Sequence, residues 1–421
     1  MRKIFFLLFT FPLTLIAQIT DTLTLDFCQQ KALENYPVLK QKDLLNTASE
    51  INFSEHIKAY FPQLSLNGQA VYQSETTELP IHIPNVEIPS LNKDSYKATI
   101  DVTQLIYDGG VVSAQKKLEK AGIQAELQGV ESELYKLKDK VNTIYFSIIS
   151  LQENKKLLKV AKSEINNKLS RIESGVKNGV VLESNALVLK AEIIKMDQLI
   201  TEIDFSILSG FKMLEDYLNI SISDSAKLKL PDMLIPAINY DHTRPEIKAI
   251  ELQQQKLDVS KLLLDAKRMP KVVAFGQVGY GRPGLNMLSN TFDSFYLVGA
   301  KLSWNIWDWN ETAQDKKLIE IKKELLETQK ETFNQGLKIV LEKYINDISK
   351  NENLILSDNE IIMLREKVVK TAESQLENGT ITATEYITEL NNLMQAKINL
   401  QTHTIQLIKS KTDYLTWKGN Y

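Results

Sequence analysis

Few residues of this chain have the type and spacing that chemistry requires. The 421 residues include one cysteine, Cys28, and four histidines that are widely separated, His56, His82, His242 and His403. No histidine has a second ligand at the spacing of a metal site, and a single cysteine excludes a disulfide framework. We therefore expect no metal site and no disulfide.

One glycine-rich segment, Gly276–Gly281, resembles a phosphate-binding loop in composition only. It lies within a strand-like stretch and does not open a helix, as such a loop must. The sequence also contains no nucleophile signature. It therefore predicts no catalytic residue, no cofactor and no enzyme activity.

Composition narrows the possible partners. The chain has 50 basic and 53 acidic residues, a formal charge of -3 and 43% apolar residues. A nucleic-acid binder needs a clustered positive surplus, so we expect no nucleic-acid partner. The balance favours protein or membrane partners, and the length exceeds one ordinary globular core.

The first 17 residues are typical of a secretion signal. Arg2 and Lys3 precede an apolar run that ends at the small residue Ala17. A retained anchor helix is the alternative, but the run is shorter than the roughly 20 residues of a membrane span, and Pro12 interrupts it. We predict that residues 1–17 form a cleaved signal peptide. No later stretch is apolar enough for a transmembrane helix.

The rest of the chain is an internal repeat. Matching residues recur at an offset of 208 and then of 200: Pro37 with Pro245, Pro62 with Pro270, Asp108 with Asp308, and Asn178-Gly179 with Asn378-Gly379. Such self-similarity usually fixes the architecture. We predict a first repeat over residues 18–229 and a second over residues 230–421.

Each repeat contains a long proline-free stretch with coiled-coil periodicity. From Leu137, ten of twelve positions at alternating four- and three-residue steps are apolar, and nine of twelve are so 200 residues later. This 3.5-residue period indicates long packed helices. The Asn-Gly pairs suit helix stops, so we predict helical hairpins over residues 109–219 and 310–418. Shorter helices are predicted over residues 25–59 and 244–267.

Four segments alternate polar and apolar residues and read as strands: 62–73, 95–107, 271–280 and 294–307. Their length suits a tilted membrane-crossing strand, and their two faces suit a barrel with lipid outside and water inside. A soluble sheet with two different faces is the alternative. Four strands cannot close a barrel, so several copies must share one; two would give eight strands and three would give twelve and leave a passage.

Tryptophans gather where the last strand is predicted to meet a helix. Trp304, Trp307 and Trp309 are close to each other in sequence. They either form an aromatic belt at a membrane interface or pack at the junction of strand and helix. The position of Trp307 and Trp309 beside the junction favours packing.

The order and spacing of several segments resemble the TolC-like outer-membrane efflux channels. They are Ala32–Pro37, Tyr60–Leu64, Pro245–Ile247 and the two Asn-Gly turns. The resemblance implies a homotrimer with a twelve-stranded barrel in the outer membrane and a twelve-helix tunnel in the periplasm. It also implies a periplasmic adaptor and an inner-membrane transporter as partners, and cargoes that are drugs, metals or proteins.

The resemblance also assigns roles to the hairpin tips. The expected adaptor contacts are Gly175, Asn178, Gly179, Val180, Asn378, Gly379 and Thr380. The expected pore constriction comprises Asn185, Glu385 and Thr388. Asn185 and Thr388 depart from the family, which often has acids there, and all three residues could instead simply solvate helix ends.

The predicted function is therefore passive conduction. The chain would be the exit duct of a tripartite efflux or type I secretion system, in the cell outer membrane with its helices in the periplasm. A periplasmic coiled-coil adaptor or scaffold is the alternative, since it would share the long hairpins.

Overall fold

The computed structural model describes residues 22–76, 92–223, 226–232, 244–287 and 289–419. The predicted signal peptide lies outside these ranges, as do His82 and His242. The fold is mainly helical with a four-stranded sheet, which confirms the prediction of a mainly helical chain with some strands. No described helix is both long enough and apolar enough to cross a membrane.

The same order of elements occurs twice along the chain. In the first half the elements are β1 (Thr22–Leu23), α1 (Leu25–Asn35), α2 (Lys40–Lys58), β2 (Gln63–Tyr72), β3 (Asp94–Tyr107), α3 (Val111–Lys177) and α4 (Glu183–Leu218). In the second half they are β4 (Lys227–Leu228), α5 (Pro245–Lys267), β5 (Lys271–Arg282), β6 (Asp293–Ser303), α6 (Glu311–Glu377) and α7 (Ala383–Lys418). The long helices α3 and α6 have 67 residues each, and α4 and α7 have 36 each.

The single helix predicted over residues 25–59 is interrupted. Tyr36 has extended backbone angles, and a short 3-10 turn, Pro37–Leu39, separates α1 from α2. Pro37 causes the break, because the proline ring disfavours helical angles at the residue before it.

One compact unit comprises residues 40–132 and 245–334 and contains the sheet. Its strands lie in the order β2-β3-β5-β6 and are all antiparallel. The strand predicted over 294–307 ends early, at Ser303, because Ser303 pairs with Lys271, the first residue of β5, and β5 offers no partner beyond it.

The two faces of the sheet differ in polarity and burial. Leu66, Ile100, Val278 and Tyr296 follow one another in register on one face, hereafter the apolar face, and all four are exposed. The other face, hereafter the polar face, includes the buried Thr99. Phe295 on β6, on the same face, is also buried.

Trp307 and Trp309 are largely exposed. Trp307 is 67% exposed and Trp309 is 82% exposed, and their rings contact each other edge to face at 5.9 Å. The interpretation that they pack at the junction was therefore wrong. Between Ser303 and Glu311 the chain forms neither strand nor helix, and among the described residues no element covers these rings.

A second compact unit comprises residues 1–39, 133–244 and 335–421. Its described part contains one apolar cluster around Tyr145, Phe146 and Phe211, and another around Ile165 and Met196. In the first cluster the Tyr145 hydroxyl lies 2.9 Å from the Leu23 carbonyl oxygen. Tyr145 therefore helps to hold β1, which pairs in parallel with β4.

Candidate functional site

Both hairpin tips have the same turn geometry. After α3, Gly179 has a φ of 71°, its N–H donates to the Val176 carbonyl at 3.0 Å, and the Val180 N–H donates to the Gly175 carbonyl at 3.0 Å. These two bonds form a Schellman motif, in which a left-handed residue closes the helix. The sequence Asn-Gly thus stops the helix because Gly179 adopts this conformation without strain.

The second tip repeats this arrangement 200 residues later. Gly379 has a φ of 70°, its N–H donates to the Leu376 carbonyl at 3.1 Å, and the Thr380 N–H donates to the Gln375 carbonyl at 2.9 Å. The Asn378 amide donates to the Ser374 carbonyl at 2.9 Å. Every glycine, asparagine and threonine expected at an adaptor contact on this tip therefore has a defined place in the turn.

At the first tip, the close approach of Val181 to Gly175 leaves no room for a side chain at position 175. A Cβ on Gly175 would lie 2.6 Å from Cγ2 of Val181. Any other residue at position 175 would push Val181 away from the end of α3. Val180 and Leu182, by contrast, are exposed apolar side chains.

The helices that leave the two tips start differently. Leu182 precedes α4 and provides no side-chain cap, whereas Thr382 and Glu385 form a reciprocal capping box at the start of α7. The Thr382 backbone N–H donates to the Glu385 carboxylate at 2.8 Å, and the Glu385 N–H donates to the Thr382 hydroxyl oxygen at 3.3 Å. This pattern satisfies donors that a helix start leaves unpaired.

The capping box determines the state of Glu385. The backbone N–H and then the hydroxyl of Thr382 hold the pKa of the exposed Glu385 carboxyl below its usual value. Glu385 is therefore a carboxylate at neutral pH, but one of its oxygens accepts bonds within its own helix start. Thr388, one turn later, donates its hydroxyl to the Thr384 carbonyl at 2.9 Å.

Asn185 joins the two tips. Its side-chain oxygen accepts a hydrogen bond at 3.0 Å from the backbone N–H of Ala383, the first residue of α7. An Asn391 amide that donates to Glu192 at 3.1 Å forms a second contact between α4 and α7. The structure thus brings Asn185 and the Glu385 capping box to the same helix start.

A groove runs between α6 and α7 beside this tip. Its volume is about 580 Å³, and Glu385 and Thr388 line it with Lys367, Thr371 and Glu389. Arg365 on α6 binds Glu389 at 2.9 Å. Two of the three residues expected at the constriction therefore share one groove with charged neighbours.

Sequence reasoning missed the ion pairs that connect the helices. Lys168 on α3 lies 2.5 Å from Glu373 and 2.6 Å from Glu377 on α6, and its side chain is only 6% exposed. One other ion pair could have been suspected from the sequence, because Arg365 interrupts the row of apolar residues that repeats every 3.5 positions. In the structure Arg365 pairs with Glu389 on the other helix of its hairpin. No group of three potential metal ligands occurs among the described residues.

Part of the chain is similar to a known protein family. Residues 29–194 match the family model described as outer membrane efflux protein. No curated protein matches the chain.

Several solved structures share the fold across 94% of this chain. The channel CusC matches with a TM-score of 0.69 and 12% sequence identity, over 92% of its own chain. The outer membrane protein VceC from Vibrio cholerae matches with a TM-score of 0.67 and 13% sequence identity, over 97% of its own chain. The CmeC outer membrane channel of Campylobacter jejuni matches with 0.66 at 14% over 85%. Neither the family match nor the shared fold supports the adaptor alternative. Part of the chain, residues 29–194, is thus similar to the outer membrane efflux proteins, and the fold along the chain is that of the solved outer-membrane channels.

Proposed function

We propose that three copies of this chain share one twelve-stranded barrel and form a passive exit duct through the outer membrane. A periplasmic adaptor and an inner-membrane transporter would deliver the cargo and supply the energy. The observation that carries this proposal is the sheet, which has an exposed apolar face, a polar face and an unpaired strand at each side.

The unpaired strands require partners. In the described part of the chain, β2 pairs only with β3, and β6 pairs only with β5. Unpaired backbone groups are not tolerated in lipid, and four strands are half the number of the smallest outer-membrane barrels. If β6 of one copy pairs with β2 of the next, both edge strands gain a partner. Three copies then give twelve strands and a passage.

The apolar face has the height of a bilayer. Exposed tyrosines stand near its two ends, with Tyr96 and Tyr107 eleven residues apart on β3. Eleven residues extend about 37 Å along a strand and about 28 Å across a bilayer at a tilt of about 40°. The exposed Trp304, Trp307 and Trp309 extend the aromatic set beyond β6, as an interfacial belt would.

Helices of the same unit also expose apolar residues that need a cover. Leu44 and Ile51 lie on α2, and Leu318 and Leu325 lie on α6, all of them exposed. The strands that adjoin these helices in sequence, β2 and β6, are the two edge strands. Contact between α6 of one copy and α2 of the next would bury both stripes alongside the paired strands.

The hairpin tips have two proposed roles: their turns contact the adaptor, and the residues just beyond the turns form the constriction. Val180 and Leu182 are exposed apolar residues at the first tip, and such residues suit a protein partner. Glu385, Thr388 and Asn185 are the proposed constriction residues. Their contacts within the tip support a role in holding the constriction closed, so that adaptor binding would separate the hairpins.

One experiment tests the duct directly. The full chain is expressed with its signal, extracted in detergent, weighed by native mass spectrometry and reconstituted in a planar bilayer. We expect a mass three times that of the processed chain, and discrete conductance steps from the same fraction. A monomer that forms no pores would refute the proposal.

A matched pair of variants tests the strand edges. Val298→Pro removes one backbone donor of the edge strand β6 and should abolish the trimer. Val298→Thr keeps the backbone and should assemble as the unaltered protein does. Equal assembly of both variants would show that β6 does not join copies.

A further inference from the structure

The polar face of the sheet carries lysines that the duct alone does not explain. Lys97 on β3 stands opposite Gly281, and Lys301 on β6 stands opposite Val273. Asp101 on β3 stands opposite Gln277. Since alternate residues of paired strands share a side, all three charged residues lie on the polar face.

Asp101, the carboxylate in the interior of this face, is already occupied. Asp101 accepts a hydrogen bond from the Asn67 amide at 2.6 Å and from the Thr99 hydroxyl at 2.9 Å. The Gln277 amide donates to its other oxygen. With three donors bound, Asp101 has little capacity left for a passing cation.

The lysines are in the opposite situation. The Lys97 ammonium lies 4.9 Å from the ring centroid of Phe295, which is a cation–π contact. Neither Lys97 nor Lys301 forms an ion pair within the described residues. Phe295 is fixed in this place because it covers Gly279, where a Cβ would lie 2.3 Å from the ring.

Charges at the ends of the strands do not alter this balance. Lys271 and Asp293, the first residues of β5 and β6, share the polar face and have opposite signs. The described strands therefore contribute one net positive charge per copy on this face, and three copies would contribute three.

From this placement we infer that the strand-lined part of the duct selects for anions, with Lys97 and Lys301 as the specificity-determining residues. The inference rests on the proposed duct. Ammonium groups that form no ion pair and line a duct raise the local concentration of anionic solutes, and a low-dielectric wall strengthens the effect. The favoured cargo is then a solute that carries carboxylate, phosphate or sulfonate groups.

Ion selectivity measured in planar bilayers tests the inference. Reversal potentials in a potassium chloride gradient give the ratio of chloride to potassium permeability. We expect a ratio above one for the unaltered protein. The double variant Lys97→Glu and Lys301→Glu should lower the ratio about fivefold, the change expected from reversing exposed charges near the ion path.

Matched variants separate charge from structure. Lys97→Arg with Lys301→Arg keeps both charges and should retain the ratio of the unaltered protein. Asp101→Asn removes the carboxylate charge and should raise the ratio. If the double glutamate variant does not assemble, Lys97→Gln with Lys301→Gln should bring the ratio towards one.

The outcomes distinguish the two proposals. A protein without any conductance would overturn both the duct and its selectivity. Conducting trimers whose permeability ratio stays the same in the glutamate and glutamine variants would overturn the anion selectivity and leave the duct intact.

Discussion

Asn185 in the first turn of α4 accepts a hydrogen bond at 3.0 Å from the backbone N–H of Ala383, the first residue of α7. One hairpin thus caps the returning helix of the other. An N–H at a helix start has no partner within the helix, so the contact satisfies a donor that would otherwise need water. Separation of the hairpins must break this bond.

Removal of the Asn185 amide should loosen the tips. Asn185→Ala deletes the acceptor, and loss of a helix cap costs about 1 kcal/mol. We expect a lower unfolding temperature in detergent and a higher open probability in planar bilayers. Asn185→Asp keeps an acceptor oxygen and places a negative charge near a helix start, which is favourable. It should behave as the unaltered protein, and equal gating of the Ala variant would exclude the cap from the closed state.

Two substitutions at Glu385 separate its capping role from its charge. Glu385→Gln can keep the capping box, since glutamine also serves at that position, whereas Glu385→Ala removes both box and charge. If the carboxylate lines the constriction, both variants should reduce cation permeability. Only Glu385→Ala should also raise single-channel conductance by weakening the start of α7. Unchanged conductance and selectivity in both variants would remove Glu385 from the gate.

The capping box also predicts a pH dependence. The pKa of Glu385 is lowered in the folded protein, so its stabilising contribution is present at neutral pH and is lost as the pH falls through that lowered value. The difference in unfolding temperature between the unaltered protein and Glu385→Ala should therefore shrink on acidification below the ordinary value of 4.5. A difference that stays constant down to pH 3 would show that the charge does not contribute.

The order of helices and strands could be predicted from the sequence, because each type of element has its own spacing of apolar residues. A 3.5-residue seam, alternating strands and two Asn-Gly pairs each report a local backbone preference, and together they gave the order of elements. The break at Tyr36 was also readable, since Pro37 follows it, but the apolar pattern around it suggested one continuous helix.

The contacts at the tips were not accessible in this way. Asn185 was expected at a constriction because of its position, whereas its bond to Ala383 depends on how two hairpins meet, 198 residues apart. The bond between Lys168 and Glu377 likewise joins residues separated by 209 positions. The periodicity of one sequence does not show which residues so far apart in the chain contact each other. The exposure of Trp307 and Trp309 depended on the end of β6, which its partner β5 determines.

Lys168 offers a test of coupling between α3 and α6. Its ammonium is nearly buried between Glu373 and Glu377, so Lys168→Met would leave Glu373 without its partner and Glu377 with only the exposed Arg171 as a counter-charge. Removal of one partner from such a site should destabilise the protein by about 1 to 2 kcal/mol, after a discount for the exposure of both glutamates. Arg171 also binds Glu377 but is 72% exposed, which makes it the matched control. Arg171→Met should change the unfolding temperature little, and equal effects of the two variants would show that burial of Lys168 is unimportant.

The reciprocal pairs of phenylalanine and glycine on β5 and β6 should set the stability of the sheet. Phe295 stands opposite Gly279, and Phe275 stands opposite Gly299, with each ring covering the glycine. Gly279→Ala would place a Cβ 2.3 Å from the Phe295 ring and should cost about 1 to 3 kcal/mol by overpacking. Gly276→Ala is the matched control on the same strand, because a Cβ there has no neighbour within 4 Å. Heating in detergent followed by electrophoresis should show loss of the proposed trimer at a lower temperature for Gly279→Ala alone. Loss at the same temperature in both variants would mean that Phe295 moves aside freely and does not hold the wall.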